Sequence, residues 1–122
     1  NKLKECKYIE QCMVVGESQK FASALIVPNF PNFKEYCKSK GIEWQDHVHM
    51  SRHEDLKKMI NEHIKQMNKT LAPYEQLKRC EILSKEWGID SGELTPKLSL
   101  KRKIIKEKNL DAIGKIFEMV EV

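Results

Sequence analysis

The apolar positions of this chain fall first in short blocks and later at helical spacing. Ile9 to Gly16 (Ile-Glu-Gln-Cys-Met-Val-Val-Gly) and Phe21 to Val27 (Phe-Ala-Ser-Ala-Leu-Ile-Val) are rich in β-branched residues, with the polar Glu17-Ser18-Gln19-Lys20 between them. They predict two strands of a hairpin, the second stopped by Pro28. The unbroken apolar runs Met13 to Val15 and Ala24 to Val27 predict that helices cover at least one face of it. Ahead of the hairpin, Asn1 to Cys6 is helix-compatible with Leu3 as its apolar contact, and reads as the tail of a helix.

Past the hairpin the spacing changes. Phe33, Tyr36 and Cys37 predict a short helix capped by Asn32 and ended at Gly41, followed by a connector from Ile42 to Met50. Ser51-Arg-His-Glu54 fits a capping box, and behind it Leu56, Met59, Ile60, Ile64, Met67 and Leu71 make one stripe of a long helix. Met59 and Met67 read as core filling. Pro73 ends or kinks that helix. Cys80 to Trp87 reads as a third strand around Ile82 and Leu83, and Gly88 to Glu93 is a run of turn formers. A closing amphipathic helix carries Ile104, Ile105, Ile113, Ile116, Phe117 and Val120 on its apolar side, with Leu110 near the edge. The expected fold is α+β: a small sheet of about three strands, the hairpin plus one later strand, packed against helices in a single domain over 1–122.

Composition adds limits. With 122 residues, 40% hydrophobic and 33% charged, the chain can bury roughly two-thirds of its unfolded surface and fold without staples. Cys6, Cys12, Cys37 and Cys80 are irregularly spaced, with no Cys-x-x-Cys, which fits free thiols in a reduced, cytoplasmic setting. His47, His49 and His53 form a local grouping, yet no cysteine or carboxylate nearby in sequence supplies a second half for zinc, so exposed histidines and no metal site are expected. No apolar run approaches the roughly 20 residues of a membrane span.

Charge is concentrated in one place. From Lys97 to Lys108 there are six positive residues and one negative, so this segment carries +5 of a chain whose net charge is +4, and the other 110 residues come to −1. In isolation such a run is most simply a solvated, solubilising helix start, and a small nucleic-acid-binding or interaction module is an alternative use. The aromatics are few and distributed along the sequence with no stacking platform evident, and no nucleic-acid partner is expected.

The wording around the cluster is more specific than its charge. Leu94-Thr95-Pro96-Lys97-Leu98-Ser99-Leu100-Lys101-Arg102-Lys103 behind Gly92-Glu93 resembles the final motif of the AMP-forming acyl-CoA synthetases in their long-chain fatty acid branch. Val14-Val15-Gly16-Glu17 followed by Ala24-Leu25-Ile26-Val27-Pro28 is similar to the hairpin of that superfamily's C-terminal domain. The helix before Pro73-Tyr74-Glu75-Gln76 and the strand through Glu81-Ile82-Leu83 resemble its next elements, so the likeness covers nearly the whole chain.

The resemblance implies a mobile lid on a larger N-terminal adenylation domain, working with ATP, Mg2+, coenzyme A and a long-chain fatty acid. It implies that a motif lysine reaches the carboxylate and the α-phosphate during adenylation, after which the lid rotates and turns its hairpin face to coenzyme A. Carried onto this sequence, Lys101 is the expected lysine. Much of the superfamily has Gly-Lys one residue further from the proline, whereas here Leu100 precedes Lys101 and Arg102 takes the more distant place, so Arg102 and Lys103 stand as alternatives. Gly16, Glu17 and Ser18 are the expected residues facing coenzyme A. The family's hinge motif and any Gly-rich phosphate loop do not occur in these 122 residues. With no initiating Met and a first segment read as a helix tail, the chain is expected to be the lid of a longer enzyme, inactive alone and binding none of these cofactors by itself. Peripheral association of the parent with a membrane stays open.

Overall fold

In a computed structural model of the chain, residues 2–16 and 21–118 are described, the side chains of 117 and 118 excepted. The predicted turn at Glu17 to Lys20, and Phe117 and Val120 of the last apolar stripe, lie outside that description.

The hairpin forms as the blocks predict: β1 (Ile9–Val15) pairs antiparallel with β2 (Ala22–Pro28). A third strand, β3 (Leu77–Ile82), adds to the other edge of β2 in parallel, so β2 is central. Alternation along β2 then sends side chains to two cores. Ala24 and Ile26 point to one, with Phe33, Cys37, Leu56, Ile60 and Ile64 from the helices α1 (Phe30–Lys40) and α3 (Glu54–Asn68). Leu25 and Val27 point to the other, with Met13, Val15, Trp87, Leu94, Ile105 and Ile116. The second layer is built by the 83–100 segment and two short helices, α4 (Arg102–Lys108) and α5 (Leu110–Glu118). Both faces of the sheet are covered, which is why the apolar runs in β1 and β2 are continuous. The whole is an α+β domain.

Several local boundaries differ from expectation. The cap of α1 is Asn29, whose side chain accepts from Asn32 N at 3.0 Å; Pro31, which lacks an N–H, sits in the first turn where no intrahelical donor is needed. The segment between α1 and α3 is not all connector: α2 (His47–Ser51) forms within it, capped by Asp46. Ser51 therefore belongs to α2, where its hydroxyl donates to Val48 O at 2.8 Å, and α3 is capped instead by the His53 ring, whose Nδ1 accepts from Asp55 N at 3.0 Å. Lys2–Glu5 is a 3-10 turn rather than the end of an α-helix, with Leu3 fully buried. β3 begins at Leu77, three residues ahead of the predicted strand, and Trp87 reaches the core from a loop. The closing helix is broken at Asn109, whose side-chain amide donates to Ile105 O at 2.8 Å while its own carbonyl accepts from Ile113 N at 3.0 Å.

Candidate functional site

The segment from Gly88 to Lys101 is ordered by its own backbone. Gly88 O accepts from both Glu93 N and Leu94 N at 3.1 Å, closing a loop whose Gly92 takes φ +95°, a conformation that glycine adopts without a Cβ penalty. Beyond it, Leu94 and Leu100 pair as an antiparallel bridge. Between them Thr95 O accepts from Leu98 N at 2.7 Å, with Pro96 in the second position of the turn, where its fixed φ is already the required one. Thr95 N donates to Ser99 O at 2.9 Å, and the Thr95 hydroxyl accepts from Ser99 N at 3.1 Å. Leu98 pays for this tight return with a left-handed φ of +66°.

The return strand delivers Lys101 beside Glu93: Lys101 N donates to Glu93 O at 2.7 Å, and Lys101 is the residue on which α4 begins. Its side chain is exposed, and among the described residues neither Lys101 nor Lys103 has a hydrogen bond or ion pair from its ammonium. Arg102 is different: its guanidinium donates to Val14 O at 2.8 Å, tying the start of α4 to the end of β1. That brings the cationic segment to the strand that runs into Gly16, which has φ +100°, while Glu17 and Ser18 lie outside the described residues. An open groove of about 810 Å³ runs along the hairpin, with Leu98, Leu100 and Ile89 on its walls; Leu98 is 67% exposed.

Next to the hairpin lies a buried carboxylate, Glu93, to which the sequence motif alone assigns no task. Glu93 Oε1 accepts from Gly88 N at 3.2 Å and from the Ser91 hydroxyl, and Oε2 pairs with Lys108 Nζ at 3.2 Å. Lys108 Nζ also donates to Ser91 O. Burial pushes the Glu93 carboxyl up, but the hydrogen bonds from Ser91, Gly88 and Lys108 outweigh it and hold the group below the usual carboxylate range. No sequence signal links Glu93 to a lysine fifteen positions later, because the link passes through a hairpin and a helix.

The three histidines go elsewhere. His47 stacks on Phe30 at 3.9 Å, His49 pairs with Asp46 at 2.8 Å, and His53 caps α3. Among the described residues no three of His, Cys, Asp and Glu gather as a metal site. The aromatics that look scattered in sequence come together: Phe33 stacks on Tyr36, Tyr8 meets both edge-on, and Trp44 meets both Phe30 and Phe33 edge-on. Phe30 and Phe33 are buried, so this cluster is core around α1. No helix among the described residues is long and apolar enough to cross a membrane.

The chain thus combines a sheet covered on both faces with a proline hairpin that sets an exposed lysine at a helix start. Residues 1–121 match the AMP-binding enzyme C-terminal domain family, and the chain belongs to it. Among its relatives is the long-chain-fatty-acid–CoA ligase FadD15 of Mycobacterium tuberculosis, 32% identical over 113 residues that cover 89% of this chain and 18% of the relative. Another is human long-chain-fatty-acid–CoA ligase 1, 29% identical over 117 residues, covering 93% of this chain and 17% of that protein. The chain thus spans under a fifth of the length of these relatives. In fold it is similar to the adenylation domain of a Mycobacterium chelonae carboxylate reductase, with a TM-score of 0.73 at 19% identity, covering 96% of this chain and 17% of that one. The A-PCP didomain of the Segniliparus rugosus carboxylic acid reductase, solved in complex with AMP, gives 0.74 at 15% identity, covering 98% and 15%.

Proposed function

We propose that this chain is the C-terminal lid of a long-chain fatty acid–CoA ligase of the AMP-forming type. The observation that carries the reading is the exposed Lys101 ammonium, without a partner among the described residues, set at the end of a hydrogen-bonded hairpin. A cation held on a rigid support, its charge not already neutralised, is what a reaction between two anions requires.

In the first half-reaction a fatty acid carboxylate oxygen attacks the α-phosphorus of ATP, forming the acyl-adenylate and releasing pyrophosphate. Negative charge builds on the attacked phosphate, and Lys101 lies across it and the carboxylate as a compact point charge. In the second, the coenzyme A thiolate attacks the acyl carbon, forms the thioester and releases AMP. Mg2+ bound with ATP would supply further positive charge to offset the phosphates in the first step. The N-terminal adenylation domain of the longer protein holds ATP and the acyl chain, and this domain reorients against it between steps. Leu98 and Leu100, both exposed on the return side of the hairpin, are the apolar contacts we assign to that domain. The end of β1 at Gly16, with Glu17 and Ser18, is assigned to the coenzyme A side. Of the alternatives to Lys101, Arg102 is engaged with Val14 O, which favours an anchoring task, and Lys103 lies within α4, further from the hairpin. The cytoplasm is the setting this reading assigns, in keeping with four cysteines none of which is in a disulfide.

The test is product analysis on the full-length enzyme with ATP, coenzyme A and fatty acids of graded length. Acyl-CoA and AMP formed in equal amounts, fastest with long chains, is the expected result. Adenylate formation without transfer to coenzyme A, or a preference for short or aromatic acids, contradicts the reading.

A further inference from the structure

We propose that Glu93 and Lys108 form a clamp that fixes the position of Lys101, making Glu93 a positioning residue for adenylation; the inference rests on the assignment of Lys101 above. Glu93 holds α4 at both ends. Its backbone carbonyl accepts from Lys101 N at 2.7 Å, at the first end, and its carboxylate pairs with Lys108 Nζ at 3.2 Å, at the last residue of the helix. The same carboxylate is fastened from below by Gly88 N and the Ser91 hydroxyl, and Lys108 reaches the Ser91 carbonyl as well. Loop, hairpin and helix thereby close into one ring of contacts with Glu93 as its common member.

The geometry bears on catalysis because α4 is short. Its seven residues rise only about 10 Å, and its buried contact with the core is Ile105. A single apolar contact lets a short helix pivot; ties at both ends do not. The Arg102 bond to Val14 O fixes the start of α4 against β1, while the clamp fixes its rotation relative to the hairpin. Removing the clamp leaves the fold's two cores untouched and frees the direction in which Lys101 projects. A displacement of about 1 Å in a charge-stabilising group costs on the order of 100-fold in rate.

The experiment uses the full-length enzyme with Glu93→Gln, Lys108→Met and Lys108→Arg, and Lys101→Ala as reference. Adenylation is followed by fatty-acid-dependent pyrophosphate exchange, and thioester formation from supplied acyl-adenylate is followed separately. The expected result is a roughly 10- to 100-fold fall in kcat for adenylation in Glu93→Gln and Lys108→Met, with KM for ATP and the rate of thioester formation within about threefold of wild type. Lys108→Arg, which keeps the ion pair, recovers most of the rate. Lys108 is half-exposed, so Lys108→Met keeps the test open should Glu93→Gln fail to fold. Unchanged adenylation in both variants overturns the clamp, as does an equal fall in both half-reactions together with a lowered Tm, which marks a structural tie only. If Lys101→Ala itself leaves adenylation intact, the assignment of Lys101 fails first, whatever the clamp variants do.

Discussion

Single residues in this domain are tuned by what lies directly against them. Glu93 is the clearest case: its carboxyl is held below the usual range, so its charged form is favoured by folding. A depressed native value contributes stability above the ordinary glutamate value of about 4.3, and loses it as pH falls through the native value. Glu93→Gln is therefore expected to lower Tm most near neutral pH, with the gap to wild type closing in acid; thermal melts across an acid series check it, and a constant gap contradicts it. The thiols go the other way. Burial pushes Cys12, Cys37 and Cys80 up, Cys80 to about 11, so few are thiolate at neutral pH. Alkylation of the folded chain is expected to be much slower than that of the unfolded chain at the same pH, and to accelerate as pH rises. Gly92, at φ +95° with open space where a Cβ would stand, isolates backbone strain from packing. Gly92→Ala is expected to cost about 1 kcal/mol by denaturant titration, all of it conformational.

Elements are stabilised at their ends as much as along their faces. Asn29 caps α1 and its amide also donates to Glu10 Oε2 at 3.0 Å, so Asn29→Ala is expected to cost about 1 kcal/mol, read as a shifted denaturation midpoint at unchanged slope. Helix ends were also where sequence and structure parted. The stripe through Leu56, Ile60 and Ile64 identified α3 because burial repeats with the helical period, but nothing in Ser51-Arg-His-Glu54 reveals that Ser51 is occupied in α2 and that a histidine ring does the capping. β3 starts ahead of its sequence signature because this edge strand exposes Lys78 and leaves Arg79 only half-buried, which weakens its apolar pattern, while Trp87 imitates a strand position from a loop. The break at Asn109 was invisible to periodicity: Ile105 and Ile116 face one core from two helices, as they would from one. The hairpin and its cationic segment were legible because proline, glycine and the charge run are chemically distinctive. The clamp beneath them was not, since it joins Glu93 to Lys108 only after the fold has formed.

For the molecule as a whole, β2 is the common wall of two cores, and the site depends on the second of them. Phe33, fully buried in the first core, bears on stability alone: Phe33→Leu is expected to lower it by roughly 1–3 kcal/mol while the proposed activity of folded enzyme is kept. The second core, through Trp87, Leu94 and Ile105, supports both the hairpin and α4, so damage there moves the cation as well as the melting point. Under the proposed function, one side of the sheet holds the domain together and the other presents the lysine. The central claim is that the chemistry presented is the Lys101 charge, used in one half-reaction. It is tested most directly by the rate of acyl-adenylate formation in full-length Lys101→Ala, beside Arg102→Ala and Lys103→Ala, with thioester formation measured on the same preparations. The account predicts a loss of about 100- to 1,000-fold in adenylation for Lys101→Ala, a smaller one for the other two, and thioester formation near the wild-type rate. Wild-type adenylation in Lys101→Ala, or an equal loss in both half-reactions, contradicts it.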